Sequence, residues 1–462
     1  MIKKKTRKES DSMGTMNVPA DALYGAQTAR AVKNFPISKL RFNRAFIEAL
    51  GVVKFSAAKA NLSLNLISTD IANSIMRASN EVILGKHDSE FVVDIFQTGS
   101  GTSTNMNVNE VIASLSNRYS KGRVKIHPND HVNLCQSSND VIPTAIHISV
   151  YNLILKSLIP NLKKLEKELS AKSKEFDKVF KIGRTHLQDA TPITLGQEFS
   201  GYSSMISKSI GFILESSKHL SELAQGGTAV GTGINSHPRF AKKVALEISK
   251  KVGVKFVEAK NHFEAQASKD AIVLTSGALK TLATSLMKIG NDIRWLSSGP
   301  RCGFGEISLP AIQPGSSIMP GKVNPVLAES LTQVCAQVIG NDLTISIAGQ
   351  SGNFELNVMM PVMAHNILES VEILSNSALV FANDCISGIE VDSEKCEATI
   401  EKSLAMCTSL APVIGYDNAA AVAKKAFKEE KTVREVVNED KILDKKEAAR
   451  VLDPKKMIKP SL

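Results

Sequence analysis

Apolar residues in the middle of the chain recur at alternating steps of three and four, which is the spacing of one face of an α-helix. The seams are Leu279, Leu282, Leu286, Ile289, Ile293 and Leu296; Phe199, Tyr202, Ile206, Ile210 and Ile213; and Ile146, Val150, Leu153, Leu158, Leu162, Leu165 and Leu169. A further candidate helix covers about residues 326–347, and we expect Pro160 to kink the helix of the third seam. The pattern predicts a bundle of long helices, some of whose apolar faces remain for other subunits.

The predicted fold class is mainly α, with three consecutive domains. Residues 1–138 form a mixed amino-terminal domain, residues 139–391 the central helical bundle, and residues 392–462 a small carboxy-terminal helical domain dense in Lys and Glu. A chain of 462 residues exceeds a typical single domain, so this division is expected on length alone.

The composition is that of a globular protein, with 43% hydrophobic and 22% charged residues. Its formal charge of +10 is spread widely and interleaved with acids, and only five tyrosines and one tryptophan could stack on bases. We therefore expect no nucleic-acid partner; a field that favours anionic substrates, or a merely solvated surface, accounts for the charge. No apolar run has the length of a membrane span, so we expect no membrane partner.

The start of the chain and the cysteines bear on location. Residues 1–11 lack the apolar segment of a secretory signal, and their cations are expected to lie in a frayed, solvated tail: Lys3, Lys4, Lys5, Arg7 and Lys8. The six cysteines form no Cys-x-x-Cys pair, so we expect buried free thiols and a cytoplasmic location. Because no Cys or His residues cluster, we expect no metal and no other cofactor.

Residues 315–325 read GSSIMPGKVNP, which is too small and polar for a core segment. Glycine and proline shape a mobile loop, two serines offer hydroxyls, and Lys322 offers a positive charge. Asn324 has the chemistry of a helix N-cap, and Pro325 suits the first helical position. Hydroxyls, a lysine and the positive end of a helix would make a site for a carboxylate. A simple turn between two helices is the alternative.

This loop resembles the signature of the fumarase/aspartase superfamily, and other segments match the same family in the same order. They are residues 99–107 (GSGTSTNMN), 127–130 (HPND), 136–140 (QSSND) and 183–192 (GRTHLQDATP). The resemblance extends over nearly the whole chain, from residues 24–28 to residues 415–417. Several long matches in one order are far more specific than one short motif.

The resemblance implies a homotetramer in which the central helices of four chains form one bundle. Three polar segments, 137–140, 185–186 and 316–324, each stand before a predicted helix. In the family they meet from different subunits and bind a four-carbon dicarboxylate without a metal, and helix N-termini suit such a dianion. The residues implied in substrate binding are Ser100, Gly101, Thr102, Ser137, Ser138, Asn139, Thr185, Ser317, Lys322, Val323 and Asn324.

His186, Ser316 and Glu329 are the catalytic residues that the resemblance implies. Ser316 would be the base that removes the proton beside a carboxylate, and Lys322 and Asn324 would stabilise the resulting carbanion. His186 would handle the water, with Glu329 behind it to orient the imidazole and favour its charged form. A structural role is the alternative for a lone histidine, and a serine is a poor base unless its alkoxide is stabilised.

Residues 127–130 resemble a second anion site of the family, formed by His127, Pro128, Asn129 and Asp130. A purely structural turn is the alternative there. As we align the chain, many relatives carry an arginine where Val124 stands, so no anion contact is carried over to that position.

Two positions separate the hydratase branch of the superfamily from the ammonia-lyase branch. Fumarases carry His and Gly where aspartate ammonia-lyases have Gln and Ala, and here the residues are His186 and Gly321. Residues 351–358 also resemble the class II, iron-independent fumarases. A titratable histidine suits the activation of water better than glutamine does. The implied reaction is the reversible hydration of fumarate to L-malate in the tricarboxylic acid cycle; aspartate ammonia-lyase and a non-catalytic structural member are the alternatives.

Overall fold

The computed structural model describes residues 5–120 and 123–460. Lys3 and Lys4, which were predicted to lie in a frayed tail, fall outside these residues. The described chain is mostly helical, and its strands form only two-stranded ladders. The mainly α fold class is therefore confirmed.

The helices are numbered in chain order. They are α1 (Ala26–Asn34), α2 (Arg44–Ser63), α3 (Thr69–Ile83), α4 (Thr102–Ser120), α5 (Ser138–Leu153), α6 (Ile159–Glu175), α7 (Leu195–Ser217), α8 (Phe240–Val252), α9 (His262–Ala267), α10 (Asp270–Leu296), α11 (Val326–Gly349), α12 (Met360–Val380), α13 (Ser393–Ala398), α14 (Ala411–Ile414), α15 (Tyr416–Lys428), α16 (Val433–Glu439) and α17 (Lys445–Val451). Turns of π-helix lie at Pro128–Val132, Ile154–Leu158 and Phe381–Cys385.

The strands pair as short ladders between the helices. They are β1 (Thr6–Asp11), β2 (Gly14–Pro19), β3 (Phe180–Thr185), β4 (Gln188–Thr194), β5 (Glu222–Leu223), β6 (Val257–Glu258), β7 (Ile307–Ser308), β8 (Gly352–Asn353), β9 (Leu356–Asn357) and β10 (Glu390–Val391). The pairs β1–β2, β3–β4, β7–β10 and β8–β9 are antiparallel, and β5–β6 is parallel.

The first described residues form a hairpin, so the prediction of a frayed tail is wrong for Thr6–Asp11. Strand β1 pairs with β2 along its whole length. The guanidinium of Arg7 donates to the carbonyls of Pro19 (2.8 Å), Ala22 (2.7 Å) and Tyr24 (2.8 Å). A basic side chain was taken as a sign of solvation, whereas here it satisfies main-chain carbonyls of the following segment.

The predicted helical seams are confirmed. The seam residues in α10 and α7 are buried, and so are those in α5 and α6 with the exception of Leu153. A π-helical turn, Ile154–Leu158, separates α5 from α6 just before Pro160. A proline has no N–H to donate and its ring crowds the preceding turn, so the wider turn accommodates it. Helix α11 extends from Val326 to Gly349, close to the predicted range of about residues 326–347.

The chain divides into two compact units, each made of three segments. The first compact unit comprises the described residues of 1–160, 211–283 and 336–375. Within it, α2 packs against α3, α5 and α8. Polar contacts join its other helices: the amide of Asn341 donates to Glu369 (2.8 Å), and the Ser276 hydroxyl donates to Asp342 (2.7 Å).

The second compact unit comprises the described residues of 161–210, 284–335 and 376–462. Its carboxy-terminal helices α15, α16 and α17 share an apolar cluster that includes Ile182 of β3. The hydroxyl of Tyr202 in α7 donates to Asp292 of α10 (2.9 Å). Ile182 therefore packs the β3–β4 hairpin against the carboxy-terminal helices.

All six cysteines are free thiols, as predicted, and four of them are buried: Cys135, Cys335, Cys385 and Cys396. Burial raises the pKa of Cys335 and Cys385 to about 12, which leaves these thiols unreactive. Cys302 is exposed, so the prediction of burial is wrong there. It lies in the loop after α10, where no helical seam buries it.

Two helical stretches are long and apolar enough to cross a bilayer by length and composition alone. They are Ser138–Glu175 and Asp270–Leu296, and 61% and 44% of their most apolar windows are buried within the protein. Core helices of globular proteins pass the same test, so composition does not distinguish the two cases here.

Candidate active site

Ser137 caps the helix that carries the first predicted binding segment. Its hydroxyl accepts from the N–H of Asn139 (3.2 Å), and Asp140 accepts in return from the N–H of Ser137 (2.9 Å), which makes a capping box. The amide of Asn139 donates to the carbonyl of Ala229 (2.7 Å). The prediction that residues 137–140 stand at a helix start is confirmed.

The buried side chain of Asp140 holds this helix start in place. Its carboxylate is fully buried and also accepts from the N–H groups of Gly226 (3.0 Å) and Thr228 (2.9 Å). Burial raises the pKa of Asp140 to about 6, although these hydrogen bonds and the nearby charge of Lys54 act in the opposite direction. A carboxylate with three backbone donors holds the loop at residues 226–228 and the start of α5 in one arrangement.

The segment with Ser100, Gly101 and Thr102 lies beside this helix start. The hydroxyls of Ser100 and Thr102 are 2.8 Å apart. The amide nitrogen of Asn105, one turn along α4, donates to the Ser138 hydroxyl (3.1 Å). Gly101 has φ +73°, and a Cβ there would stand 2.8 Å from the Ile142 side chain. The first compact unit therefore brings residues 100–102 and 137–139 together.

The signature loop holds the hydroxyl of Ser316 in a small turn. This hydroxyl accepts from the N–H groups of Ile318 (3.2 Å) and Met319 (2.9 Å). The amide of Asn324 donates to the carbonyl of Gly315 (2.5 Å), which ties the two ends of the loop together. Lys322 is exposed on the same loop.

The predicted cap of helix α11 is wrong by one residue. The N–H of Glu329 donates to the carbonyl of Pro325 (3.0 Å), so Pro325 stands at the cap and Val326 is the first helical residue. Asn324 does not cap the helix because its side chain bonds to Gly315 instead. A local cap rule could not anticipate this contact with the far end of the loop.

A cavity of about 720 Å³ lies beside the loop in the second compact unit. Lys322, Val323 and Asn324, which were predicted to bind substrate, line it together with Glu329, which was predicted to be catalytic. Helix α10 contributes further lining residues that we did not single out: Asn291, Arg294 and Trp295. They lie between the apolar seam residues Ile289, Ile293 and Leu296, and no sequence motif marks them.

His186 lies at the tip of a hairpin, so the prediction that it precedes a helix is wrong. Strands β3 and β4 meet at Thr185 and Gln188, and the two turn residues, His186 and Leu187, have φ of +57° and +58°. This is the two-residue turn whose twist suits a hairpin, here built without glycine. Non-glycine residues are uncommon in this conformation, and such strain is found at functional sites.

Charged residues anchor the hairpin that presents His186. The Arg184 guanidinium lies 2.6 Å from the carboxylate of Glu306, and the buried ammonium of Lys181 lies 3.2 Å from the same group. Among residues 5–120 and 123–460, no hydrogen bond or ion pair joins His186 to Glu329 or Ser316. The pairing of His186 with Glu329 therefore stays a prediction.

Residues 127–131, which include the predicted second anion site, form hydrogen bonds among themselves. The ring of His127 accepts from the N–H groups of Asn129 (3.3 Å) and Asp130 (3.2 Å), and the main-chain N–H of His127 donates to the ring of His131 (2.9 Å). Pro128 begins the π-helical turn that these bonds stabilise. The described contacts are those of a turn, and the anion site stays a prediction.

Metal-binding side chains do not gather in the part of the chain that the structure describes. There, no group of three or more His, Cys, Asp or Glu residues could hold a metal ion. The expectation of a reaction without metal or cofactor stays a prediction.

Two families match the chain by sequence: the lyase family over residues 14–340 and the fumarase C C-terminus family over residues 406–459. The fold and the signature loop thus define a lyase. Fumarate hydratase class II of Nitrosomonas europaea is 52% identical over 93% of this chain and 94% of its own. Its counterpart in Halobacterium salinarum is 54% identical over 98% and 97%. The chain belongs to the class II fumarate hydratase family, a family of hydro-lyases.

A solved structure agrees with this assignment. The recombinant class II fumarase from Schistosoma mansoni superposes with a TM-score of 0.97, is 41% identical, and covers 99% of this chain and 100% of its own. The expected fumarase-like fold is therefore confirmed.

Proposed function

We propose that this chain catalyses the reversible hydration of fumarate to L-malate, with Ser316 as the base and His186 as the residue that handles water. The observation that carries the assignment of the base is the environment of the Ser316 hydroxyl. Two backbone N–H groups, from Ile318 and Met319, point at its oxygen. Hydrogen bonds to the charged form of a group favour that form, so these donors stabilise an alkoxide that can remove a proton.

The substrate is a dianion, and the site offers it donors and positive charge. The start of α5 brings the positive end of its helix dipole beside Ser137 and Asn139, and Lys322 supplies a full positive charge. When the proton beside one carboxylate leaves, negative charge moves into that carboxylate, where these groups lower the energy of the intermediate. We assign substrate binding to Ser100, Gly101, Thr102, Ser137, Ser138, Asn139, Thr185, Ser317, Lys322, Val323 and Asn324.

His186 gives or takes the proton of the water that adds to the double bond, and Glu329 orients its ring. Support comes from the hairpin tip, which presents His186 as an exposed side chain on a strained turn. A side chain held in this way can approach a substrate without moving the strands behind it. Residues 127–130 form a second anion site in this proposal.

The functional assembly that we propose is a homotetramer with sites shared between subunits. Helix α11 supports it with three apolar side chains on one face, Ile339, Leu343 and Ile347, which are 37%, 63% and 48% exposed. Their spacing of four residues makes a continuous stripe, and an exposed apolar stripe marks an interaction surface. The domains 1–138, 139–391 and 392–462, a cytoplasmic location, and the absence of nucleic-acid and membrane partners belong to the same proposal.

An absorbance assay tests the reaction. The purified protein is mixed separately with fumarate, L-malate and L-aspartate, and the double bond of fumarate is followed in the ultraviolet. We expect the absorbance of fumarate to fall as fumarate is hydrated and to rise when malate is the substrate. With aspartate the absorbance should not change. Formation of fumarate from aspartate but not from malate would make the chain an ammonia-lyase, and no reaction with any of the three would favour a structural role.

A further inference from the structure

A lysine is fully buried in the largely apolar middle of helix α2. The ammonium of Lys54 donates to the side-chain oxygens of Asn133 (3.0 Å) and Gln136 (3.1 Å). Burial lowers the pKa of Lys54 to about 7, and the nearby charge of Asp140 acts in the opposite direction. Burying an ammonium is unfavourable unless its partners compensate for the lost water. An apolar side chain would suit this helix better if packing were the only requirement.

Lys54 determines the orientation of the side-chain amides of Asn133 and Gln136. Because an ammonium can only donate, both amides must direct their oxygens toward it. Their nitrogens are left to donate to main-chain carbonyls: Asn133 to that of Gln136 (3.0 Å) and Gln136 to that of Val132 (3.0 Å). These bonds close the turn that leads directly into Ser137 and helix α5.

The same oxygen of Asn133 reaches the other binding segment. It also accepts from the amide nitrogens of Asn105 and Asn109 in α4, both at 3.2 Å. The nitrogen of Asn105 in turn donates to the Ser138 hydroxyl (3.1 Å). One side-chain oxygen atom, oriented by the lysine, therefore connects the first turns of α4 with the start of α5.

We propose that Lys54 is a positioning residue for substrate binding. Its ammonium acts through Asn133 and Gln136 and keeps residues 100–102 and 137–139 in their positions relative to each other. The inference rests on the proposed function, since both segments carry residues assigned to the dicarboxylate. Lys54 itself is buried behind them and does not touch the substrate. Without it, both amides lose the partner that fixes their orientation, and the two segments lose their common support.

The test is Lys54→Met in the full-length protein, since methionine is unbranched and can fill the same space without a charge. KM and kcat are measured for fumarate and malate, and calorimetry gives the Kd for succinate, a four-carbon dicarboxylate that cannot react. A binding group displaced by about 1 Å loses up to about 100-fold, so we expect KM and Kd to rise by about 10-fold or more. At saturating substrate, kcat should fall less.

Lys172→Met is the matched control. Lys172 is a buried lysine of the second compact unit, and it donates to the carbonyl of Ile389 (2.8 Å) and to Glu175 (2.9 Å). We expect this variant to lose thermal stability while KM and Kd stay at the wild-type values. The comparison separates the loss of a buried ammonium in general from the loss of Lys54.

Gln136→Met keeps the test decisive if Lys54→Met does not fold, because it removes one amide and retains the bond from Lys54 to Asn133. It should raise KM and Kd in the same direction. Wild-type values of KM and Kd in whichever variant folds would overturn the inference. Wild-type protein that does not convert fumarate would instead overturn the proposed function, so the two failures are distinguishable.

Discussion

The buried carboxylate of Asp140 gives a stability prediction that can be worked from its contacts. It accepts the N–H groups of Ser137, Gly226 and Thr228, at 2.9, 3.0 and 2.9 Å. Asp140→Ala leaves all three donors without their acceptor at a position that is fully buried. The loss therefore acts on the start of α5 and on the loop at residues 226–228 together.

Two opposing terms set the magnitude. An unsatisfied buried donor costs about 1–3 kcal/mol, so the N–H groups of Gly226 and Thr228 cost about 4 kcal/mol at the middle of this range, and the half-buried N–H of Ser137 adds about 1 kcal/mol. Removing the buried charge offsets part of this, because burial raises the pKa of Asp140 from 3.8 to about 6, a shift that corresponds to about 3 kcal/mol. The net expectation near neutral pH is a loss of about 2 kcal/mol in the free energy of unfolding.

Glu435→Ala is the matched control, since Glu435 occupies the same capping-box position in helix α16. Its exposed carboxylate accepts from the N–H of Thr432 (2.7 Å), where water can replace it. The expected loss is therefore smaller than that of Asp140→Ala. Urea unfolding followed by far-ultraviolet circular dichroism, at one fixed protein concentration, compares both variants with the wild type. The reasoning is refuted if Asp140→Ala is destabilised no more than Glu435→Ala.

Other predictions concern the chemistry and its pH dependence. His186→Asn and Ser316→Ala should each lower kcat by about 100-fold or more while circular dichroism stays unchanged; wild-type turnover with saturating malate would disprove that residue's role. When these two variants are unfolded together and refolded as mixed tetramers, about one site in four should be intact, so activity should return to about a quarter of the wild type. No gain in tetramers shown to be mixed would contradict shared sites. Activity should survive prolonged chelation in air; a loss that added iron restores would contradict a metal-free reaction. Burial lowers the pKa of His147 from 6.5 to about 4, so between these values the unfolded chain binds a proton that the folded chain does not, and stability falls as pH falls. Because the His147 ring is only half buried, solvent screens part of the effect, and His147→Gln should remove about 2 kcal/mol of this loss. A variant whose free energy of unfolding keeps the wild-type dependence on pH would exclude the effect.

The parts of the fold that follow local rules could be predicted from the sequence. The apolar steps of three and four in α7 and α10 reflect the helical period, and burial of one stripe follows from it. Residues 137–140 could be placed at a helix start because serine, and an acid three residues later, can satisfy the free N–H groups found there. The start of α11 was found to within one residue for the same reason.

Features that depend on distant contacts could not be predicted in this way. His186 was placed before a helix, yet its segment pairs with residues 188–194 in a hairpin whose turn lacks the expected glycine. Asn324 has the composition of a cap, and only the folded loop shows that Gly315 takes its amide. Lys54 carries no motif at all, because its role depends on residues about eighty positions away.

Three buried charges share one principle in the first compact unit. Glu110 accepts the N–H groups of Gly25, Gln27 and Thr28 at the start of α1, Asp140 accepts three at the start of α5, and Lys54 orients the amides before that helix. Each charge is compensated by polar groups of loops and helix starts more than by an opposite charge. Such a contact has a direction, whereas apolar burial has none. Apolar seams can therefore hold the helices together, whereas these buried charges fix where the helix starts and their neighbouring loops lie.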